Sequence, residues 1–261
     1  MDTQQRTRLL IGDDGLQNLS EKHILIAGIG GVGSFAAEAI ARSGIGEITL
    51  LDHDDVSASN INRQLFALHS TVDQAKVEVA KSRLQDINPA IKLNISKTFI
   101  SPDNIEERLK QTHYDFIIDC IDSIACKASL VHIAQQFNIP IISAMGAGGR
   151  LDPTKVEISS LHKTHRCPLA REMRRQLRKL HGELKYPVVF STEIPKKGSE
   201  HQPVGNPESP GKSRSVNGTI SYLPGQYGLM MAGYVIQHLV VAHHQDSALE
   251  PERDSDSSVI R

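Results

Sequence analysis

Short apolar runs alternate with stretches of helical periodicity through the first half of the chain, the pattern of strand–helix–strand units on a parallel sheet. His23–Ala27 (HILIA) reads as a first strand, and Ser34–Ser43 as a helix whose apolar face is Phe35, Ala36, Ala39 and Ile40. Glu47–Leu51 (EITLL) is a second strand, Gln74–Ile87 a helix and Lys92–Ser96 a third strand. A helix at Pro102–Lys110, a strand at Phe116–Cys120 and a helix–strand pair at Lys127–Phe137 and Pro140–Ser143 continue the alternation. Val156–Ser159 is placed at the start of an antiparallel part. The expected fold is therefore α/β: a mostly parallel sheet with helices on both faces, extended by antiparallel strands.

The texture then changes. Residues 163–185 are rich in Lys and Arg, and residues 195–216 (PKKGSEHQPVGNPESPGKSRSV) mix Pro, Gly, Ser and charge in the manner of a mobile loop. An apolar segment resumes at Thr219–Val241, and residues 245–261 read as a disordered tail. One domain over residues 1–244 with this excursion fits better than two. Tyr222–Val241 has the length of a membrane-spanning helix. An early Pro-Gly, two Gln and His238 interrupt it, so a buried core helix is favoured over membrane association.

Composition narrows the function. With 261 residues and a net charge of −1, the chain can bury a sizeable core but has no overall field drawing it to nucleic acid or membrane. It contains no Trp, which disfavours single-strand binding by base stacking. Three cysteines, Cys120, Cys126 and Cys167, without a C-x-x-C pair exclude a disulfide scaffold and a four-cysteine zinc site. The polar start MDTQQRTRLLIG lacks an apolar signal core, so a cytoplasmic location is expected.

The glycines Gly28, Gly30, Gly31 and Gly33 form G-x-G-G-x-G between the first strand and its helix. In that setting they allow a tight turn and close approach of the backbone to phosphate, with the helix N-terminus facing the anion. Asp52 ends the second strand, where a carboxylate accepts hydrogen bonds from a ribose diol. The glycines alone would equally suit a nicotinamide dehydrogenase. The residues beyond Asp52 do not: Asp54, then Asn60-Ile-Asn-Arg63-Gln64, then Lys76 on the next helix. Cations and amides beside phosphate serve a reaction in which charge builds on the α-phosphate and departing pyrophosphate. They suit ATP with Mg²⁺.

In these motifs the chain resembles the E1-like activating enzymes, the superfamily of ThiF, MoeB and the ubiquitin-activating enzymes. Their pattern runs G-x-G-G-x-G, D-x-D, N-x-x-R-Q, a helix lysine and a later strand-end aspartate, here Asp122 in DCIDS. The resemblance spans residues 6 to about 150. It implies a Rossmann-like fold, Asp52 on ribose, Asn60, Arg63 and Lys76 on phosphates, and Asp122 on Mg²⁺. It also implies a homodimer in which Arg6 of one subunit reaches the phosphates of the other. From the residues alone, the alternative for Asp122 is a helix N-cap at the strand exit, and it is the less favoured one.

Superfamily members that load carrier proteins usually have paired C-x-x-C zinc motifs and a catalytic cysteine. The absence of both C-x-x-C pairs here, with the segments Ser143–Thr154, Cys167–Arg171 and Val189–Glu193, resembles the tRNA threonylcarbamoyladenosine dehydratase branch. That resemblance implies ligase-class, ATP-dependent cyclisation of N6-threonylcarbamoyladenosine in tRNA through a carboxyl-adenylate. The alternative is adenylation of the C-terminus of a ubiquitin-like or sulfur-carrier protein, and a sulfur-transfer protein is a conceivable partner. Residues 163–185 hold eight Lys/Arg against Glu172 and Glu183. Arg171, Arg174, Arg175 and Arg178, with Lys179 beside them, fall at helical spacings of three and four. Such a row suits RNA phosphates, though a basic helix is more often plain solvated surface. Cys120 and Cys126 read as core residues, whereas Cys167 among cations could be an exposed thiol. His162, His165 and Cys167 lack a fourth ligand for zinc.

Overall fold

The apolar runs close into a seven-stranded sheet with strand order β3-β2-β1-β4-β5-β7-β6. The computed structural model describes residues 3–196 and 218–247. Its strands are β1 (His23–Ala27), β2 (Glu47–Leu51), β3 (Lys92–Ser96), β4 (Phe116–Asp119), β5 (Ile141–Ala144), β6 (Val156–Ser160) and β7 (Pro187–Ser191). Its helices are α1 (Gln5–Ser20), α2 (Gly33–Arg42), α3 (Lys76–Ile87), α4 (Ile105–Gln111), α5 (Ile124–Gln136), α6 (Pro168–Lys179) and α7 (Tyr222–Ser247). β1 lies parallel to β2 and β4, β2 to β3, β4 to β5 and β5 to β7. Edge strand β6 alone runs antiparallel, against β7. This is the expected Rossmann-like α/β sheet with its antiparallel extension.

Two apolar cores flank the sheet. Ile40 of α2, Val77 and Leu84 of α3, Leu19 of α1 and Tyr227 and Met231 of α7 pack on one face. Ile105 of α4, Val131 of α5 and Met173 and Leu177 of α6 pack on the other. Strand order reverses between β1 and β4, so the crevice beyond Ala27 and Asp119 is the natural ligand position in such a sheet.

The apolar segment near the C-terminus is a core helix, as expected. Leu223, Tyr227, Met231, Ala232 and Val235 of α7 are fully buried. A Cβ on Gly228 would stand 2.3 Å from the Val32 carbonyl oxygen, so glycine here lets α7 meet the start of α2 backbone to backbone. No helix among the described residues is long and apolar enough to cross a membrane. The expected loop, beyond Pro195 and Lys196, lies outside the described residues. So does the expected tail from residue 248 on, whereas 245–247 belong to α7.

Two elements had no signature. α1 breaks its helical geometry at Gly12 (φ 73°) and leaves Leu9 and Leu10 82% and 86% exposed, so it shows no core-facing stripe. β7, buried along four of its five residues, shows no alternation. α5 starts at Ile124, three residues before the expected Lys127, because Ser123 takes the extended N-cap conformation.

Candidate nucleotide-binding site

The chain leaves β1 through the glycine turn, and each glycine answers a different demand. Gly28 adopts φ 87°, and a Cβ there would stand 2.9 Å from the Cys120 carbonyl oxygen. A Cβ on Gly33 would stand 1.8 Å from the Gly28 carbonyl oxygen, so only glycine allows the turn to close onto α2. A Cβ on Gly30 would meet only the Gln64 amide nitrogen, at 3.6 Å. The space beside Gly30 is thus left open by the described residues.

Asp52, at the end of β2, is buried and holds this turn. Its Oδ2 accepts the Ile29 N–H at 2.7 Å and its Oδ1 accepts the Asp54 N–H at 2.9 Å. A carboxylate has about four acceptor positions, so two remain for a ligand's hydroxyls. Lys76, at the first residue of α3 and 5% exposed, sets its Nζ 2.7 Å from Asp54 Oδ2 and 3.9 Å from Asp52 Oδ1. The ammonium therefore stands one carboxylate away from the glycine turn.

The segment between β2 and α3 folds over the same turn. A short 3-10 turn at Ala58–Asn60 is closed by a capping box in which Asn60 Oδ1 accepts the Ser57 N–H. The Asn60 side chain thus shapes this segment itself. The Leu65 N–H donates to Ser34 Oγ at the start of α2. This contact lays Arg63 and Gln64 on the glycines, with the Arg63 carbonyl oxygen 3.4 Å from where a Gly31 Cβ would be. The Arg63 guanidinium donates to the Ser59 carbonyl and to Asn62 Oδ1. Beyond β4, Cys120 abuts Gly28, and two residues later the Asp122 carboxylate is exposed with no hydrogen-bond partner among the described residues. Gly28–Gly33, Asp52, Arg63, Gln64 and Lys76 are thus brought together, with Asp54 attached through Lys76 and Asp122 on the adjoining turn. Amide donors at a helix start, two cations and free carboxylate positions form a site for a nucleotide with its phosphates.

The ThiF family description matches residues 3–253. The chain belongs to the ThiF family. It is 40% identical over 238 residues to a tRNA threonylcarbamoyladenosine dehydratase of Bacillus subtilis, covering 90% of this chain and 93% of that protein. Among solved structures it resembles Escherichia coli tRNA N6-threonylcarbamoyladenosine dehydratase in complex with ATP, with TM-score 0.79 and 34% identity over 94% of this chain and 95% of that one. It is also 34% identical over 140 residues to the sulfur carrier protein ThiS adenylyltransferase of Escherichia coli, covering 53% of this chain and 55% of that one.

In this ThiF-family chain the arginine row lies on α6, whose N-terminus meets the loop leaving β5. The Arg150 guanidinium, buried, donates to the carbonyls of Gly146, Gly148, Arg166 and Glu193 and so ties that loop to the residues before α6. Arg171, Arg175, Arg178 and Lys179 are exposed. Arg174 departs from the row: its guanidinium turns inward to the Leu161 and Thr164 carbonyls and Thr164 Oγ1, and burial lowers its pKa. Arg175 is held by Glu172 at 2.5 Å. Cys167 is not exposed; it is the N-cap residue of α6, 4% accessible and packed in the core. Burial also raises the Cys120 thiol far above its usual range. Arg6 is exposed on α1 and lies apart from the site, because Gln4 bonds to the Arg42 carbonyl at the far end of α2.

Sequence reasoning missed a buried cluster behind Asp122. Asp119 and Lys127 are both fully buried and paired at 2.8 Å, and the Ser143 hydroxyl donates to the same carboxylate oxygen at 2.6 Å. The D-C-I-D-S-x-x-x-K spacing contained it, since a lysine four residues into a helix reaches back to the strand end. It also missed the roof from α7: Asn62 Nδ2 donates to the Thr219 carbonyl, Pro224 lies on Gly31, and the Tyr222 hydroxyl donates to the Leu151 carbonyl. No local pattern joins residues so far apart.

Proposed function

We propose that this chain uses ATP to cyclise N6-threonylcarbamoyladenosine in tRNA, with loss of water, through a carboxyl-adenylate. The observation that carries this reading is the open glycine turn at Gly30 with Arg63, Gln64, Lys76 and Asp52 gathered around it. The similarity to the dehydratases along nine-tenths of the chain supports the choice of acceptor.

Asp52 holds the ribose hydroxyls and the turn's amides hold the phosphates. A threonine carboxylate oxygen attacks the α-phosphorus and pyrophosphate leaves. Arg63 and Lys76 offset the charge that grows on the phosphate oxygens, and Asn60 and Gln64 add amide donors. An atom of the substrate's own carbamoyl group then attacks the activated carbonyl, and AMP leaves with one former carboxylate oxygen. No enzyme nucleophile is required, which agrees with the buried Cys167 and the hard-to-ionise Cys120. Asp122 fits Mg²⁺ because it offers an exposed hard oxygen with no hydrogen-bond partner among the described residues. There Mg²⁺ would shield the phosphate charge.

Arg6 acts in the partner subunit's site, in a homodimer. Gln4 is fixed beside Arg42, and α2 spans roughly 15 Å from there to the glycine turn, too far for Arg6 to serve its own site. The exposed Leu9 and Leu10 supply apolar surface for that contact. The tRNA backbone lies along α6, held by Arg171, Arg175, Arg178 and Lys179, in the cytoplasm where tRNA and ATP meet. The decisive test incubates the protein with ATP, Mg²⁺ and tRNA lacking the cyclic modification. The nucleoside should lose one water while AMP forms. AMP formed only with a sulfur-carrier protein, which the half-chain match to the ThiS enzyme would favour, overturns the tRNA reading.

A further inference from the structure

We infer that the buried Asp119–Lys127 pair, with Ser143, is a positioning device that holds the 120–123 turn so that Asp122 is presented to metal-bound nucleotide. The inference rests on the reading of Asp122 as the Mg²⁺ ligand.

Asp119 ends β4 and Lys127 lies one turn into α5, and neither has any exposed surface. Between them the chain makes the four-residue turn that carries Asp122. Lys127 Nζ donates to Asp119 Oδ2 at 2.8 Å and to the Asp119 carbonyl at 3.3 Å, joining the helix to the strand end. Asp119 Oδ1 accepts the Ile121 N–H at 3.1 Å, which fixes the first bend of the turn. Ser143, from β5, anchors the carboxylate from the side at 2.6 Å. The turn is tied equally firmly to the nucleotide side: the Cys120 N–H donates to the Ala27 carbonyl at 2.8 Å, and its own carbonyl lies against Gly28. A continuous set of directional bonds therefore runs from Lys127 through the turn to the glycine loop.

Stability alone does not call for this arrangement. Removing two charges from water is costly, and apolar residues of similar volume often replace a buried pair without loss. Apolar packing, however, would not direct the Ile121 N–H or fix the course of residues 120–122. What the pair adds over an apolar core is geometry, spent on the residue that faces the metal. Outer groups that orient a metal's ligands typically change affinity about 10–100-fold when removed.

The test uses the full-length protein with Mn²⁺ as spectroscopic probe and a non-hydrolysable ATP analogue. The double variant Asp119→Val, Lys127→Met removes both charges together, so no unpaired charge stays buried, while the Ser143 hydroxyl and the Ile121 N–H lose their acceptor. It should melt close to wild type and bind the analogue without metal at near wild-type affinity. Its Mn²⁺ affinity by electron paramagnetic resonance should fall about tenfold or more, and amide exchange at Ile121–Ser123 should accelerate by about the same factor. Wild-type Mn²⁺ affinity and exchange in the folded double variant overturn the inference. Should that variant not fold, Ser143→Ala, which keeps the pair, must still weaken Mn²⁺ measurably; wild-type behaviour overturns the inference there too. Asp122→Asn separates the two layers. If it leaves Mn²⁺ affinity intact, the reading of Asp122 falls; if it weakens Mn²⁺ while the double variant does not, only the positioning role falls.

Discussion

Gly30→Ala isolates the phosphate cradle from the fold that makes it. The added methyl would meet only the flexible Gln64 side chain, at 3.6 Å, and Gly30 is not among the glycines with positive φ. Substitution of a glycine whose conformation alanine tolerates stabilises by about 0.4–1 kcal/mol through the unfolded state. For a chain of this size that is a rise of at most about 2–4 °C in Tm. The methyl projects into the space beside the turn, where a phosphate would displace itself from one or two amide donors. Each hydrogen bond to a charged group is worth about 1.5–3 kcal/mol, so ATP affinity should fall between about tenfold, for one weak bond, and about 10⁴-fold, for two strong ones. Gly33→Ala is the contrasting variant. Its methyl would lie 1.8 Å from the Gly28 carbonyl, a clash between backbone atoms that rotamer changes cannot relieve. That variant should lose stability by about 1–3 kcal/mol as well as ATP binding. Scanning calorimetry and isothermal titration with ATP read both quantities. A Gly30→Ala protein that binds ATP with wild-type affinity refutes the cradle.

Gly228→Ala should destabilise by about 1–3 kcal/mol in denaturant titration, because its methyl would fall 2.3 Å from the Val32 carbonyl; an unchanged midpoint contradicts the close α2–α7 packing. Stability should decline as pH falls below about 6.5, since burial lowers the His23 pKa against the raising effect of Glu47. The neutral ring is favoured in the fold, so its contribution is present above the unfolded pKa and lost as pH falls from there through the lower folded pKa. His23→Gln should flatten that limb. A second decline, below about pH 4.3, belongs to Glu38, whose burial would raise its pKa but whose bonds from Arg83 and Arg42 outweigh this. Its contribution is present above the unfolded value and lost on acidification, and Glu38→Gln should remove it. Arg171→Gln with Arg178→Gln should weaken tRNA binding and reduce its salt slope by about 0.9 per lost phosphate contact. Arg174→Met should instead lower Tm, because that side chain holds the 161–164 turn. Filter binding at several salt concentrations and calorimetry separate the two.

The glycine turn, Asp52, Arg63, Gln64 and Lys76 were legible because their meaning lies in short spacings around one strand–helix junction. So was most of the sheet, since β1, β2, β4 and β5 are largely apolar runs, and β3 (KLNIS) alternates, between periodic helices. What escaped depends on contacts distant in sequence or on surfaces without periodicity. Arg174 has the spacing of a solvent-facing row, yet the carbonyls of Leu161 and Thr164 draw it inward. Cys167 sits among cations in sequence but is covered by the packing of α6. Asp119 and Lys127 looked like the end of one element and the start of another; only the folded turn reveals them as a pair.

The central claim is that the carboxylate of the modified nucleoside is activated as an adenylate, and isotope transfer tests it directly. Substrate tRNA is prepared with ¹⁸O in both oxygens of the threonine carboxylate and turned over with unlabelled ATP and Mg²⁺. Mass spectrometry should find one ¹⁸O in each AMP released and one retained in the cyclic nucleoside. Unlabelled AMP, or label appearing in inorganic phosphate alongside ADP, would contradict an adenylate intermediate.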